Sequence, residues 1–194
     1  MSSKSTGPYL PAMLRRLPLY LCLLLLTQCS KCKNDPTPAD PTGQLPPATQ
    51  AGANTFGCLL DGQPWTPSGN DGRANYRVSY DPGYSGGSLT LRVYRYLGNT
   101  GKRQSFIIGG DSINRVGAYS FDSPSRYTVY LFDTAKSSPC DSFYDSPGTM
   151  TRGRLTITRL DLSRGIIAGT FAFTLHQPGC DSARVTLGRF DKRL

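Results

Sequence analysis

Hydrophobic and polar residues alternate along most of the chain after residue 53, and a period of two residues is typical of β-strands. Clusters of Gly, Pro, Asp and Asn separate the alternating segments, and no long segment has the 3.6-residue apolar period of a helix. The pattern predicts strands at 56–60, 74–80, 88–96, 104–109, 117–121, 126–133, 154–160, 166–175 and 184–190. Trp65, the only tryptophan, lies in a short segment between two prolines that suits the edge of a sheet, and we expect its side chain in the core.

Nine or ten strands in residues 54–194 predict an all-β domain. The last three strands are joined by short turns, which favours an antiparallel meander. The whole domain is then a single antiparallel β-sandwich, with a closed or half-open β-barrel as the alternative. Periodicity does not decide between these two architectures.

The chain begins with a positively charged segment followed by a short apolar run. Lys4, Arg15 and Arg16 precede the apolar residues 17–26, and the first acidic residue is Asp35. This run is too short to cross a bilayer, which takes about 20 residues. A positive segment followed by about 7–15 apolar residues is instead typical of a secretory signal, so we interpret residues 1–28 as a signal peptide.

The signal ends Leu26-Thr27-Gln28-Cys29, which resembles the lipobox of bacterial lipoproteins. In that family the cysteine carries the lipid and becomes the first residue of the mature chain. The resemblance therefore implies lipidation of Cys29 and attachment to a membrane through the lipid. The alternative is an ordinary signal peptide followed by an incidental cysteine.

Residues 29–53 have the composition of a tether. Residues 30–53 contain five prolines and only one large aliphatic residue, Leu45. Such a segment buries too little apolar surface to offset the entropy of ordering, so we predict that it is disordered. The predicted organisation is a signal peptide at 1–28, a lipidated tether at 29–53 and an all-β domain at 54–194.

Two motifs frame the domain. It opens with the sequence FGCLLDGQPW from Phe56 to Trp65, and it closes with IAGTFAFT from Ile167 to Thr174 and GRFD from Gly188 to Asp191. These motifs resemble a family of Bacteroidota lipoproteins that is described only as a domain of unknown function. The resemblance implies a place in the envelope of a Gram-negative cell, on the outer membrane, and it transfers no catalytic or ligand-binding residue.

Six cysteines are present, of which Cys22 leaves with the signal and Cys29 carries the lipid. In an oxidising compartment a disulfide is expected among the others. The alternating directions of the last strands place the loops that contain Cys140 and Cys180 at the same end of the domain, so we predict a Cys140–Cys180 disulfide. A Cys58–Cys180 pair is the alternative.

Candidate chemistry is sparse. The single histidine, His176, gives no zinc motif, and the aspartates do not form a calcium loop, so we expect no metal and no other cofactor. His176, Asp181 and Ser182 have the residue types of a triad, but they lie in one predicted turn and no nucleophile elbow is present. We therefore assign no catalytic residue. The alternative function is a polysaccharide hydrolase with a pair of aspartates as acid and base.

The charge of the chain points to anionic partners. The sequence has 22 Lys and Arg against 13 acidic residues, all Asp, and removal of residues 1–28 leaves 19 against 13, a net charge of +6. Several arginines neighbour tyrosines, and Arg92 and Arg95 are the candidate anion-binding residues. The alternative is that these arginines are solvated outward positions on strands, whose stems cover apolar surface. The expected envelope location argues against nucleic acid as the natural partner, so we expect an anionic glycan or an envelope protein. The leading hypothesis is a non-enzymatic binding or scaffolding lipoprotein.

Overall fold

A computed structural model of the protein describes residues 40–122, 125–144 and 148–194. The predicted signal peptide, Cys29, Cys32 and the first part of the tether lie outside these residues. The described part contains eleven strands. They are β1 (Thr55–Leu60), β2 (Gln63–Trp65), β3 (Tyr76–Asp81), β4 (Ser88–Tyr96), β5 (Arg103–Gly110), β6 (Gly117–Ser120), β7 (Tyr127–Asp133), β8 (Ser142–Phe143), β9 (Met150–Asp161), β10 (Ile166–His176) and β11 (Ala183–Arg193).

The strands form two antiparallel sheets that pack as a β-sandwich. The six-stranded sheet has the order β2-β1-β11-β10-β9-β6, and the five-stranded sheet has the order β3-β4-β5-β7-β8. Neither sheet closes on itself, so the sandwich prediction is confirmed and the barrel alternative is not adopted. The predicted meander is β9-β10-β11, whose neighbours pair antiparallel. The sequence pattern missed β8 because two residues are too few to show alternation.

Aromatic side chains fill the space between the sheets. Trp65 is completely buried, its ring meets that of Phe106 edge-on at 4.9 Å, and its Nε1 donates to Oε1 of Gln104 at 3.0 Å. Phe56 stacks on Phe171 at 5.2 Å. Strand β2 lies at the edge of its sheet, as the flanking prolines predict, and Trp65 belongs to the core as expected.

The closing motifs are explained by reciprocal packing of glycine and phenylalanine across β10 and β11. Gly169 lies opposite Phe190, and Phe171 lies opposite Gly188. A Cβ atom on Gly188 would lie 2.3 Å from the ring of Phe171, and one on Gly169 would lie 2.7 Å from Cε1 of Phe190. Each phenylalanine therefore fills the space left by the glycine opposite, and these motif residues serve packing.

Residues 40–53 differ from the predicted disordered tether, because they belong to the same compact unit as the sandwich. A 3-10 helix spans Pro41–Gln44, Leu45 is buried, and Pro46 packs where a side chain on Gly57 would otherwise lie. The carboxylate of Asp191, itself 1% exposed, then holds the segment that follows. It accepts hydrogen bonds from Oγ1 of Thr49 at 2.7 Å and from the backbone amides of residues 51, 52 and 53 at 2.9, 2.7 and 3.1 Å.

Composition misses this contact because the donors are mostly backbone amides, which every sequence provides. Among the described residues, the compact unit that contains the sandwich therefore includes residues 40–53 and begins at Asp40 rather than at residue 54.

The predicted disulfide is present. Cys140 and Cys180 are bonded, with their Cα atoms 5.5 Å apart, in loops that follow β7 and β10. Cys58, the alternative partner, is a buried free thiol on β1, and burial raises its pKa to about 12. It is therefore an unreactive core residue.

Candidate functional site

The outer face of the five-stranded sheet carries arginines above an apolar floor. Arg77 of β3 lies directly opposite Arg92 of β4, which lies opposite Ile107 of β5, and Ile107 lies opposite Tyr130 of β7. The next row along the sheet contains Tyr94, Ser105 and Phe132. Residues directly opposite in antiparallel strands point to the same face, so both rows lie on the outside of the sandwich.

These rows line a depression of about 500 Å³. Its wall includes Arg77, Arg92, Tyr94, Arg103, Ile107 and Phe132, and its lining contains no carboxylate. Sites for small ligands commonly combine such an apolar surface with a few placed polar groups. The depression can therefore receive an apolar surface of a ligand while arginines contact its charged groups.

A hydrogen-bonded loop fixes one wall of the depression. The Tyr94 hydroxyl lies 2.9 Å from Oδ1 of Asp71 and 2.7 Å from the carbonyl oxygen of Arg73. Arg103 lies over the Tyr94 ring at 5.1 Å and pairs with Asp71 at 3.1 Å. The hydrogen bond from Tyr94 is the main cause that lowers the pKa of Asp71. The lowered pKa keeps this carboxyl ionised and paired with Arg103.

Arg77 and Arg92 differ from Arg103 in having no such partner. Both side chains are exposed, and neither has an ion pair or a side-chain hydrogen bond among the described residues. Like charges directly opposite on neighbouring strands destabilise a sheet. The described part of the fold thus holds two positive charges side by side without a carboxylate paired to either, an arrangement suited to an external anion.

The structure separates the two arginines that the sequence singled out. Arg95 shares the inward face of β4 with Leu89, Leu91 and Val93, whereas Arg92 faces outward. Nε of Arg95 donates to Gln104 at 2.9 Å, Nη1 donates to the Pro64 carbonyl at 3.0 Å, and the guanidinium lies 5.4 Å from the Trp65 ring centre.

Partial burial lowers the pKa of Arg95. This arginine therefore closes one end of the core and cannot share a site with Arg92. Arg77, which sequence reasoning did not select, takes its place. The sequence signal that could have identified Arg77 was the register of the predicted hairpin. Strands 74–80 and 88–96, joined by a turn, bring Arg77 and Arg92 opposite each other.

Other candidate chemistry lies apart from this depression. Nδ1 of His176 is 3.2 Å from Oγ of Ser182 on the exposed surface, and Asp181 makes no hydrogen bond to His176 in the described part of the chain. Within the described ranges, no three His, Cys or Asp side chains form a group that could hold a metal ion. Four depressions of the described surface each contain at most one aspartate, so none of them presents the carboxylate pair of a glycoside hydrolase.

Comparison with protein-family models, curated proteins and solved structures gave no match to this chain. The resemblance of its motifs to the Bacteroidota lipoproteins therefore stays a prediction. In the described residues, no helix is long and apolar enough to span a membrane.

Proposed function

We propose that this protein is a lipid-anchored lipoprotein of the bacterial outer membrane whose five-stranded sheet binds an anionic glycan without cleaving it. The observation that carries the binding proposal is the exposed Arg77–Arg92 pair beside the apolar floor of the depression. The proposed anchor rests on the leader and on Cys29, as described from the sequence.

The chemistry of the depression favours a carboxylated or sulfated sugar. A guanidinium binds a carboxylate or sulfate through two parallel hydrogen bonds, and two neighbouring guanidinium groups can share one anion. Ile107 and Phe132 offer apolar surface for the less polar face of a sugar ring. The absence of carboxylates from the lining favours binding over hydrolysis.

A thermal-shift screen tests the binding proposal. The full chain, produced in a bacterial envelope and extracted in a neutral detergent, is heated with polygalacturonate, dextran sulfate or uncharged dextran. A ligand that binds only the folded state stabilises it by mass action, about 2.7 kcal/mol at 100 times its dissociation constant. We expect a higher melting temperature with one or both polyanions and no change with dextran.

Variants locate the site. Arg77→Gln combined with Arg92→Gln should abolish the shift, whereas Arg115→Gln combined with Arg164→Gln removes the same charge at exposed positions outside the depression and should preserve it. Equal shifts in the two double variants would refute the assignment of the site. The anchor is tested separately by Cys29→Ser, which should release the protein from the membrane fraction.

A further inference from the structure

A second set of arginines lies on the opposite face of the sandwich. On the outer face of the six-stranded sheet, Thr174 of β10 has Arg152 of β9 on one side and Arg184 of β11 on the other. Arg154 lies opposite Ala172 one row further along β9. All three arginine side chains are exposed, and none has an ion pair among the residues that the structure describes.

The spacing of these arginines makes a broad, flat cationic surface. Arg152 and Arg184 are two strands apart, which corresponds to about 10 Å between their Cα atoms, and Arg152 and Arg154 are about 7 Å apart along one strand. The side chains between them are short, because the half-buried Thr174 and the exposed Ala172 occupy the outward positions of β10 there. The guanidinium groups can therefore project further into solvent than the side chains between them.

This surface differs from the proposed glycan-binding depression in the side chains at its centre. Its central positions carry threonine and alanine, whereas the depression is lined by Ile107, Tyr94 and Phe132. A groove of about 700 Å³ on this same face, lined by Arg154 and Ala172, contains one carboxylate, Asp122. Asp122 accepts a hydrogen bond from the amide of Gly153 at 2.9 Å, and this bond together with the nearby charges of Arg152 and Arg154 lowers its pKa. The face thus spreads three positive charges over three strands, with the exposed apolar side chain of Leu187 in the groove beside them, and a spread of this kind suits a sheet of anionic headgroups.

The segment that leads to the proposed anchor crosses the same face. Pro46 covers Gly57 of β1, the Pro46 carbonyl accepts a hydrogen bond from Nη1 of Arg189 at 3.3 Å, and Ala48 borders the groove beside Arg154. Residues 49–53 are then held by Asp191 on β11. Between Cys29 and Asp40 there are only eleven residue steps, which span at most about 40 Å when fully extended.

We propose that Arg152, Arg154 and Arg184 dock the outer face of the six-stranded sheet onto the anionic phospholipid headgroups of the membrane that holds the protein. This docking rests on the proposed lipid anchor. A lipid chain together with a basic patch is a known combination for stable membrane attachment. Docking turns the five-stranded sheet, with Arg77 and Arg92, away from the membrane and towards its ligand.

The test measures which arginines the membrane protects. The full chain is reconstituted into vesicles of phosphatidylcholine alone or with phosphatidylglycerol, and the rate at which an arginine-specific dicarbonyl reagent modifies each arginine is followed by peptide mass spectrometry. In anionic vesicles, Arg152, Arg154 and Arg184 should react several-fold more slowly than in neutral vesicles. Arg77 and Arg92 should react equally in both.

A charge variant provides the second measurement. Each arginine near an anionic surface contributes about five-fold to binding, so Arg152→Gln combined with Arg184→Gln should lower the ratio of docked to free domain about 25-fold. The protection of Arg154 should disappear with it. Arg115→Gln combined with Arg164→Gln removes the same charge elsewhere and should leave the protection of Arg154 unchanged.

Three results would overturn the proposal. One is equal reactivity of Arg152, Arg154 and Arg184 in the two vesicles, and another is protection of Arg77 and Arg92 in their place. The third is protection by soluble polygalacturonate but not by anionic lipid, which would make this face a second glycan site. Failure of the chain to float with neutral vesicles refutes the anchor, and the comparison of arginine rates in anionic vesicles still decides which face docks.

Discussion

Asp191→Asn tests whether residues 40–53 are held to the sandwich by a buried carboxylate. Asp191 accepts four hydrogen bonds of 2.7–3.1 Å from that segment. A hydrogen bond to a charged group contributes about 1.5–3 kcal/mol. Oδ2 accepts three of these bonds and Oδ1 accepts the one from Gly52. Asparagine with its oxygen at the Oδ2 position points its NH₂ group at the Gly52 amide and loses that bond, and the other three bonds then go to a neutral acceptor and weaken. We expect the free energy of unfolding to fall by about 3–5 kcal/mol, or the melting temperature to fall by about 6–15 °C.

The free energy that holds the segment in place sets an upper limit on this loss. Where detachment costs less than global unfolding, the variant releases residues 40–53 and leaves the sandwich folded. Chemical denaturation reports the first outcome, and limited proteolysis between residues 40 and 53 reports the second. Asp181→Asn is the control, because Asp181 is exposed and has no hydrogen bond among the described residues.

The pH dependence of the variant gives an independent check. Burial raises the pKa of Asp191, but the hydrogen bonds from Thr49 and the three amides outweigh it, so the pKa lies below its usual value. A lowered pKa in the folded state contributes stability above the unfolded pKa, about 3.9, that is lost as the pH falls through the folded value. The stability gap between wild type and Asp191→Asn should therefore be full at pH 7 and shrink below about pH 4. The reasoning would be refuted if the stability gap stayed constant down to pH 2. It would also be refuted if Asp191→Asn were as stable and as resistant to protease as Asp181→Asn.

Three further predictions concern packing, the disulfide and a surface carboxyl. Gly188→Ala forces a methyl group against the ring of Phe171 and should lower the free energy of unfolding by about 1–3 kcal/mol in chemical denaturation. Gly117→Ala is the control, because no atom lies near its new methyl group, and it should lower the free energy of unfolding by less. Equal losses in the two variants would contradict the packing account. Replacing both Cys140 and Cys180 with Ser opens a link between residues 40 apart and should lower stability by about 3–4 kcal/mol, and an unchanged denaturation midpoint would contradict this. Hydrogen bonds from the Arg159 and Ser163 side chains and the Arg164 amide lower the pKa of Asp161 to about 2, and an NMR titration midpoint near 3.9 would oppose this assignment.

Strand periodicity explains why the fold was predictable. In β4, Leu89, Leu91 and Val93 alternate with Thr90 and Arg92, and this alternation survives in the structure because one face of the strand is buried and the other is not. The same logic, extended two residues further, places Arg95 on the inward face. Arg92 and Arg95 are an odd number of residues apart and so cannot share a face of a regular strand.

Two features depended on contacts between distant parts of the chain. The order of residues 40–53 comes from Asp191, about 140 positions away in sequence, and from the space above Gly57. The Arg152–Thr174–Arg184 row arises from the register of three strands, in which bulges shift the pairing. Local pattern identifies the strands but not these shifts, so it does not place side chains from different strands on one face.

The measurement that most directly tests the central claim is a double-mutant cycle on glycan affinity. A fluorescent oligogalacturonate is titrated into the full chain in neutral detergent, using wild type, Arg77→Gln, Arg92→Gln and the double variant. Each single change should weaken binding about three- to tenfold, as expected for exposed charge-assisted hydrogen bonds. Because the two arginines hold one anion, the loss in the double variant should differ from the product of the single losses. The account would be contradicted if all three variants bound the oligogalacturonate as tightly as the Arg115→Gln, Arg164→Gln control does.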